Sequence, residues 1–164
     1  MLIEKFIEMA SDIKDIELHF TVGDALVFCA LGHLSPAARD AWTVAEEDHT
    51  EKEQDMGREE ELGWLLEKLT GELTRSTHPN IKQASCLWLL AIVKHCIRQS
   101  CVKTHLLDIQ AAFMGLLGDN NDLVQDAASK GIAIVYEACS EDQRDGMVNS
   151  LLDTILGKKP QEVK

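Results

Sequence analysis

The sequence predicts an all-α fold of stacked helix pairs, and three observations carry that prediction. Apolar residues recur at helical spacing in segment after segment, without strand-like alternation. Aromatic residues make up only 5% and proline occurs three times, while Leu, Ala, Glu and Lys recur throughout, a composition that suits helix on helix better than a sheet. The third observation is an internal repeat, taken up below. With 164 residues, 45% of them hydrophobic and 27% charged, the chain can bury one substantial core.

Breakers and capping residues divide the chain into seven expected helices, at about 2–9, 15–32, 60–75, 79–99, 103–118, 121–139 and 141–157. Leu62, Leu65, Leu66, Leu69 and Leu73 mark the third. Pro79 suits the first turn of the fourth helix after the His78 boundary. Leu106, Ile109, Phe113, Leu116 and Leu117 define the fifth, and Asn120 or Asn121 can cap the sixth after Gly118-Asp119. Met147, Val148, Leu151, Leu152 and Ile155 line one side of the last, which is the first half of a pair without a second half. Its apolar face should fold back on the stack or meet a further repeat, and the ending at Gly157-Lys158-Lys159-Pro160 favours a chain cut from a longer solenoid.

Laying Asn80-Ile81-Lys82-Gln83-Ala84 over Leu123-Val124-Gln125-Asp126-Ala127 places Leu89 on Ile132, Ile92 on Val135 and Cys96 on Cys139, an offset of 43 residues. That spacing falls within the roughly 40–47 residues of HEAT and armadillo repeats, in which each helix pair buries its apolar face against its neighbours. The expected architecture is therefore a HEAT/armadillo-like α-solenoid of about seven helices in roughly three and a half antiparallel pairs. Trp88 falls on Gly131 and Cys86 on Ser129, and the glycine suggests a close approach of backbones there. An earlier copy, Leu18, Thr21, Leu26 and Cys29, matches Ile81, Ala84, Leu89 and Ile92 at an offset of 63, twenty residues too long.

The excess coincides with Asp40 to Glu61, 22 residues holding ten acids and two bases, Lys52 and Arg58. Its net charge of −8 is two thirds of the chain's −12. So few apolar groups, with Gly57 among them, predict a mobile loop whose ordering entropy is not recovered by burial. The expected organisation is a helix pair at 1–39, the acidic and disordered insert at 40–61, helix pairs plus one unpaired helix at 62–157 and a flexible tail at 158–164. If the insert is a contact arm and not merely solvated, Glu46, Glu47, Asp48, Glu51, Glu53, Asp55, Glu59, Glu60 and Glu61 are its candidate contact residues, for a basic protein surface.

The same acidity disfavours nucleic acid and anionic membrane as partners. No signal peptide is readable, because Glu4 and Glu8 interrupt the N-terminal apolar residues. The longest strongly apolar run, Gln83 to Val93, is eleven residues, well short of the roughly 20 that span a bilayer. Five cysteines, at 29, 86, 96, 101 and 139, lack the spacing of a secreted disulfide framework and point to a reducing compartment, cytoplasm or nucleus.

Candidate chemistry is sparse. His95, Cys96, Cys101 and His105 put two thiols and two imidazoles within eleven residues, but they would straddle a helix end without paired zinc knuckles, so buried or turn residues are expected instead of a metal site. No G-x-S-x-G elbow, activated cysteine, dinucleotide or P-loop glycine pattern, or calcium-loop order is present. No enzyme activity and no cofactor are expected.

Four strings carry a family resemblance: Phe20-Thr21-Val22-Gly23-Asp24-Ala25-Leu26, Ala37-Ala38-Arg39-Asp40-Ala41-Trp42, Lys82-Gln83-Ala84-Ser85-Cys86-Leu87-Trp88-Leu89-Leu90 and Gln125-Asp126-Ala127-Ala128-Ser129-Lys130-Gly131. From about residue 1 to 156 the chain resembles a short part of the proteasome-associated HEAT-repeat adaptor and scaffold family, whose members are giant solenoids. The resemblance implies a non-catalytic adaptor that binds the 26S proteasome and links its core and regulatory particles. It also implies tethering to endosomal, endoplasmic-reticulum, centrosomal or motor proteins, in cytoplasm and nucleus. The alternative is an adaptor of the same architecture in another pathway, such as nuclear transport or phosphatase assembly.

Overall fold

The structure, a computed structural model, describes residues 2–11, 13–31 and 51–156. Among the described residues eight α-helices follow one another, without a strand: α1 (Leu2–Ser11), α2 (Ile16–Leu31), α3 (Glu51–Gly71), α4 (Pro79–Cys96), α5 (Ser100–Thr104), α6 (Leu106–Leu116), α7 (Asp122–Ala138) and α8 (Glu141–Ile155). The fold is all-α and solenoid-like.

Two layers organise the helices. In the first, α4 lies between α2 and α7, with its most extensive contact on α2; in the second, α3, α6 and α8 follow in turn, and α6 backs onto α7. The three helices of the first layer are the three segments that the sequence aligns as copies. Ile16, Pro79 and Asp122 begin them, 63 and 43 residues apart. Trp88, Leu89 and Ile92 of α4 are buried on both flanks of this layer, together with Leu26 of α2 and Val135 of α7, and Phe113 of α6 joins them from the second layer. Among the described residues Trp88 and Phe113 are the two largest side chains with no exposed surface, and removal of such areas from water dominates the stability of a helical stack.

Close approach is bought with glycine at two places. A Cβ on Gly131 would sit 2.4–2.6 Å from carbons of the Phe113 ring, so the close packing expected at this glycine is of an aromatic ring on the α7 backbone and not of two backbones. A Cβ on Gly23 would meet the Cβ of Ala91 at 3.0 Å, which brings α2 close to α4.

Several expected boundaries move. The helix expected from about 60 begins at Glu51, within the span expected as a mobile loop, and runs to Gly71. Glu51-Lys52-Glu53-Gln54-Asp55-Met56 are mostly good helix formers, so once Leu62, Leu65, Leu66 and Leu69 anchor the helix in the core, propagation backward needs no apolar face. The same helix stops before 75: a 3₁₀ turn, Leu73–Arg75, follows, in which the buried Thr74 hydroxyl donates to the Leu69 carbonyl at 3.0 Å. The single helix expected at 103–118 is broken at His105, whose φ of −97° and ψ of 8° end α5 before α6 begins. The insert's residues 40–50 and the tail at 158–164 lie outside the described residues.

Polar ties fix the joint between α4 and α7. Lys82 Nζ reaches Asp119 Oδ2 at 2.9 Å, and Asn121 Nδ2 donates to Gln83 Oε1 at 2.7 Å. Asn121 also caps α7, its Oδ1 accepting from Leu123 N at 3.0 Å, while Asp119 Oδ1 accepts from Asn121 N at 3.0 Å. The Lys82 ammonium holds the Asp119 carboxyl below its ordinary value, aided by the backbone N–H groups of Asn121 and Asn120.

Candidate interaction surface

Of the nine acidic candidates, Glu46, Glu47 and Asp48 lie outside the described residues, and Glu51, Glu53 and Asp55 sit on the first turns of α3. Glu59, Glu60 and Glu61 are better defined, and the structure divides them. Glu59 is half-buried and its Oε1 accepts from the Ser100 hydroxyl at the start of α5. Glu61 is exposed and faces the other way, toward α2, where after burial it is the second cause that pushes the Cys29 thiol up. Two residues along a helix are about 200° apart, which explains the split. Glu59 is thus a structural tie between α3 and α5, while Glu60 and Glu61 remain in solvent. A second acidic contribution comes from α1, whose Glu4 and Glu8 raise the Lys68 ammonium on α3 after its own partner Glu72, at 2.6 Å.

The thiol and imidazole set is pulled apart. Cys96 is buried in the core and its thiol is pushed up to about 12 by desolvation, as is that of Cys86. Cys101 and His105 do approach, with Sγ 3.9 Å from Nδ1. The same Nδ1 lies 2.8 Å from the Cys101 carbonyl oxygen, which can only accept, so Nδ1 carries its proton there and offers no lone pair to take one from the thiol. Burial, with Glu59 and Glu67 nearby, pushes the Cys101 thiol up, against the trend that makes a nucleophile. His95 stands separately, lowered by burial and by Lys94 and raised by Asp24. Among the described residues no three His, Cys, Asp or Glu side chains gather as a metal site would need.

What the sequence reading missed is apolar. Ile16, Leu18, Phe20 and Phe28 of α2 are exposed, Phe20 by 49% and Phe28 by 46%. The helix is apolar on nearly every side, Ile-Glu-Leu-His-Phe-Thr-Val-Gly-Asp-Ala-Leu-Val-Phe-Cys-Ala-Leu, a pattern that can be legible as more than one packed face, but periodicity alone does not say which face stays open. On α8, Met147 is buried against α6 and Leu151 packs half-buried on the core, while Val148 and Leu152 are exposed, so the last helix folds back along one edge of its apolar side and leaves Val148 and Leu152 out. A shallow groove of about 380 Å³ separates α6 from α8, lined by Leu107, Gln110, Met114, Gln143 and Met147. Its wall is thioether and amide, without paired acid and base. Arg144, beside it, stacks over Tyr136 at 5.2 Å from the ring centroid and donates to the last carbonyls of α7, Tyr136 and Glu137, at 3.0 Å each. No described helix is long and apolar enough to cross a membrane.

The chain is 38% identical over 152 residues to the proteasome adapter and scaffold protein ECM29 of Homo sapiens, an alignment covering 90% of the chain and 8% of that protein. It is 29% identical over 158 residues to the proteasome-associated protein ECM29 homolog of Drosophila melanogaster, covering 96% and 8%. The proteasome component ecm29 of Schizosaccharomyces pombe is 27% identical over 146 residues, covering 89% and 8%. The chain therefore spans less than a tenth of the length of these curated relatives and is homologous to one segment of them. No family model matches the chain, and no solved structure matches it.

Proposed function

We propose that this chain, a homologue of one segment of the ECM29 proteasome adapters, is a non-catalytic scaffold module whose partner is the proteasome. The observation that carries the reading is the extent of the match: 90% of the chain aligns with a relative named for adapter and scaffold work, so the likeness covers the two-layer stack and not an isolated motif. The chemistry is in keeping with it, since the close thiol and imidazole pair among the described residues, Cys101 and His105, has its ring nitrogen committed to a carbonyl and its thiol pushed up.

The finer reading is geometric. A stack of helix pairs presents a long, fixed surface, and in an adapter such a surface sets the spacing of two bodies it touches at once. On this reading the chain contributes to holding core and regulatory particles together, and to tethering proteasomes to endosomal, endoplasmic-reticulum, centrosomal or motor proteins, in cytoplasm and nucleus. The acidic residues from Glu46 to Asp55, continued by Glu60 and Glu61, meet a basic surface of the partner.

Affinity capture of the tagged chain from cell extract, followed by mass spectrometry, tests the proposal. Proteasome subunits are expected; enrichment of nuclear-transport or phosphatase subunits in their place would assign the module to another pathway. Changing Glu46, Glu47, Asp48, Glu51, Glu53 and Asp55 to Gln removes the charge and, at the three positions on α3, keeps a good helix former. Capture should then weaken and lose its dependence on salt. Unchanged capture would take the acidic segment out of the interface.

A further inference from the structure

The contact between α2 and α4 holds two aromatic rings with complementary unmet needs. His19 of α2 and Trp88 of α4 meet edge to face, with centroids 5.8 Å apart and planes at 64°. Both are buried, His19 with 1% of its surface exposed and Trp88 with none. His19 Nε2 lies 2.8 Å from the carbonyl oxygen of Ile13, in the connection between α1 and α2. A carbonyl only accepts, so in the neutral ring Nε2 carries the proton and Nδ1 is a bare acceptor. Among the described residues nothing donates to Nδ1, and nothing accepts from the indole N–H of Trp88.

One orphan acceptor and one orphan donor, on adjoining rings in the same dry contact, is not the pattern of two independent packing faults. A single water can meet both needs at once, accepting from the indole with a lone pair and donating an O–H to the imidazole. We infer that one buried water bridges them, accepting from Trp88 Nε1 and donating to His19 Nδ1. Buried waters of this kind satisfy two to four otherwise unpaired polar groups and persist because the alternative is an unmet hydrogen bond. The bridging molecule must both donate and accept, and it completes a relay from the Ile13 carbonyl through His19 and the water to Trp88. That relay ties the α1–α2 connection to the middle of α4.

Nuclear magnetic resonance on the ¹⁵N-labelled 164-residue chain tests this without altering the protein. Long-range nitrogen–proton correlation should show the His19 ring protonated on Nε2 and bare on Nδ1. A rotating-frame Overhauser experiment should show a cross-peak from a long-lived water to the Trp88 indole proton. Substituting His19→Phe removes the acceptor, and that water peak should be lost. A proton on Nδ1, an indole proton without a water contact, or scalar coupling across a direct Trp88 Nε1–H to His19 Nδ1 bond would each overturn the inference.

Discussion

At the scale of single residues, the packing makes sharp demands in places where composition looks permissive. Gly131→Ala gains about 1 kcal/mol of helix propensity but drives a methyl into the Phe113 ring, and overpacking of this kind costs about 1–3 kcal/mol. Chemical denaturation should therefore show a net loss of stability, and Phe113→Leu in the same background should recover part of it. The buried thiols set a pH limit. Cys86 and Cys96 titrate near 12 in the folded chain against an ordinary 9.0, so between those values the unfolded chain has lost protons that the folded chain retains. Stability should be steady below about pH 9 and fall as pH rises above it; a denaturation midpoint that holds from pH 8 to 11 would contradict the burial. Alkylation at pH 8 should modify Cys29 and Cys101 first and reach Cys86 and Cys96 only on unfolding. Asp119 works in the other direction: its carboxyl is held below the ordinary 3.8, so the stability it contributes is present above that value and is lost as pH falls through it.

Among the elements, α7 shows how a single cap can serve two purposes. Asn121→Ala removes both the bond to Leu123 N and the one to Gln83, and a cap of this type is worth about 1 kcal/mol. The denaturation midpoint should drop, and substituting Asn121→Asp, which keeps the cap but not the donor to Gln83, should restore part of the loss. The cap, like the repeat of α2, α4 and α7, was legible because both depend on local chemistry: Asn after Gly118-Asp119, and apolar residues at matching turns. The start of α3 was not. Its charge argued for a solvated loop, but helix propagation needs a stable end and tolerant side chains, and Leu62 to Leu69 supply the end from a distance of several turns. The acidic site was legible only as a charge count. Nothing in Glu59-Glu60-Glu61 announces that the first is tied to Ser100 while the third looks toward α2, because that depends on where α5 and α2 come to lie.

For the whole molecule, the two-layer arrangement makes α4 the shared wall and α8 the outlying member. Amide hydrogen exchange should therefore be slowest in α4, which is covered by α2, α7 and the turn before it, and fastest in α8, which docks mainly through Met147 on α6. Equal protection of the two helices would mean that α8 has cover beyond α6. Neighbour-only contact also means that stability is a chain of joints more than a single centre, so a weakened joint is felt by what lies on either side of it. The ties of Lys82 to Asp119 and of Gln83 to Asn121 lie at one such joint, and they are polar, directional and near the helix ends. Considered as mechanics, they act as a pair of pins a short distance from a pivot. The apolar contact between α4 and α7 lets one helix roll on the other, whereas two pinned points leave it a single angle. Cutting either pin would give α7 and α8 a swing about the remaining one, and the leverage of that swing would grow with every helix carried beyond it.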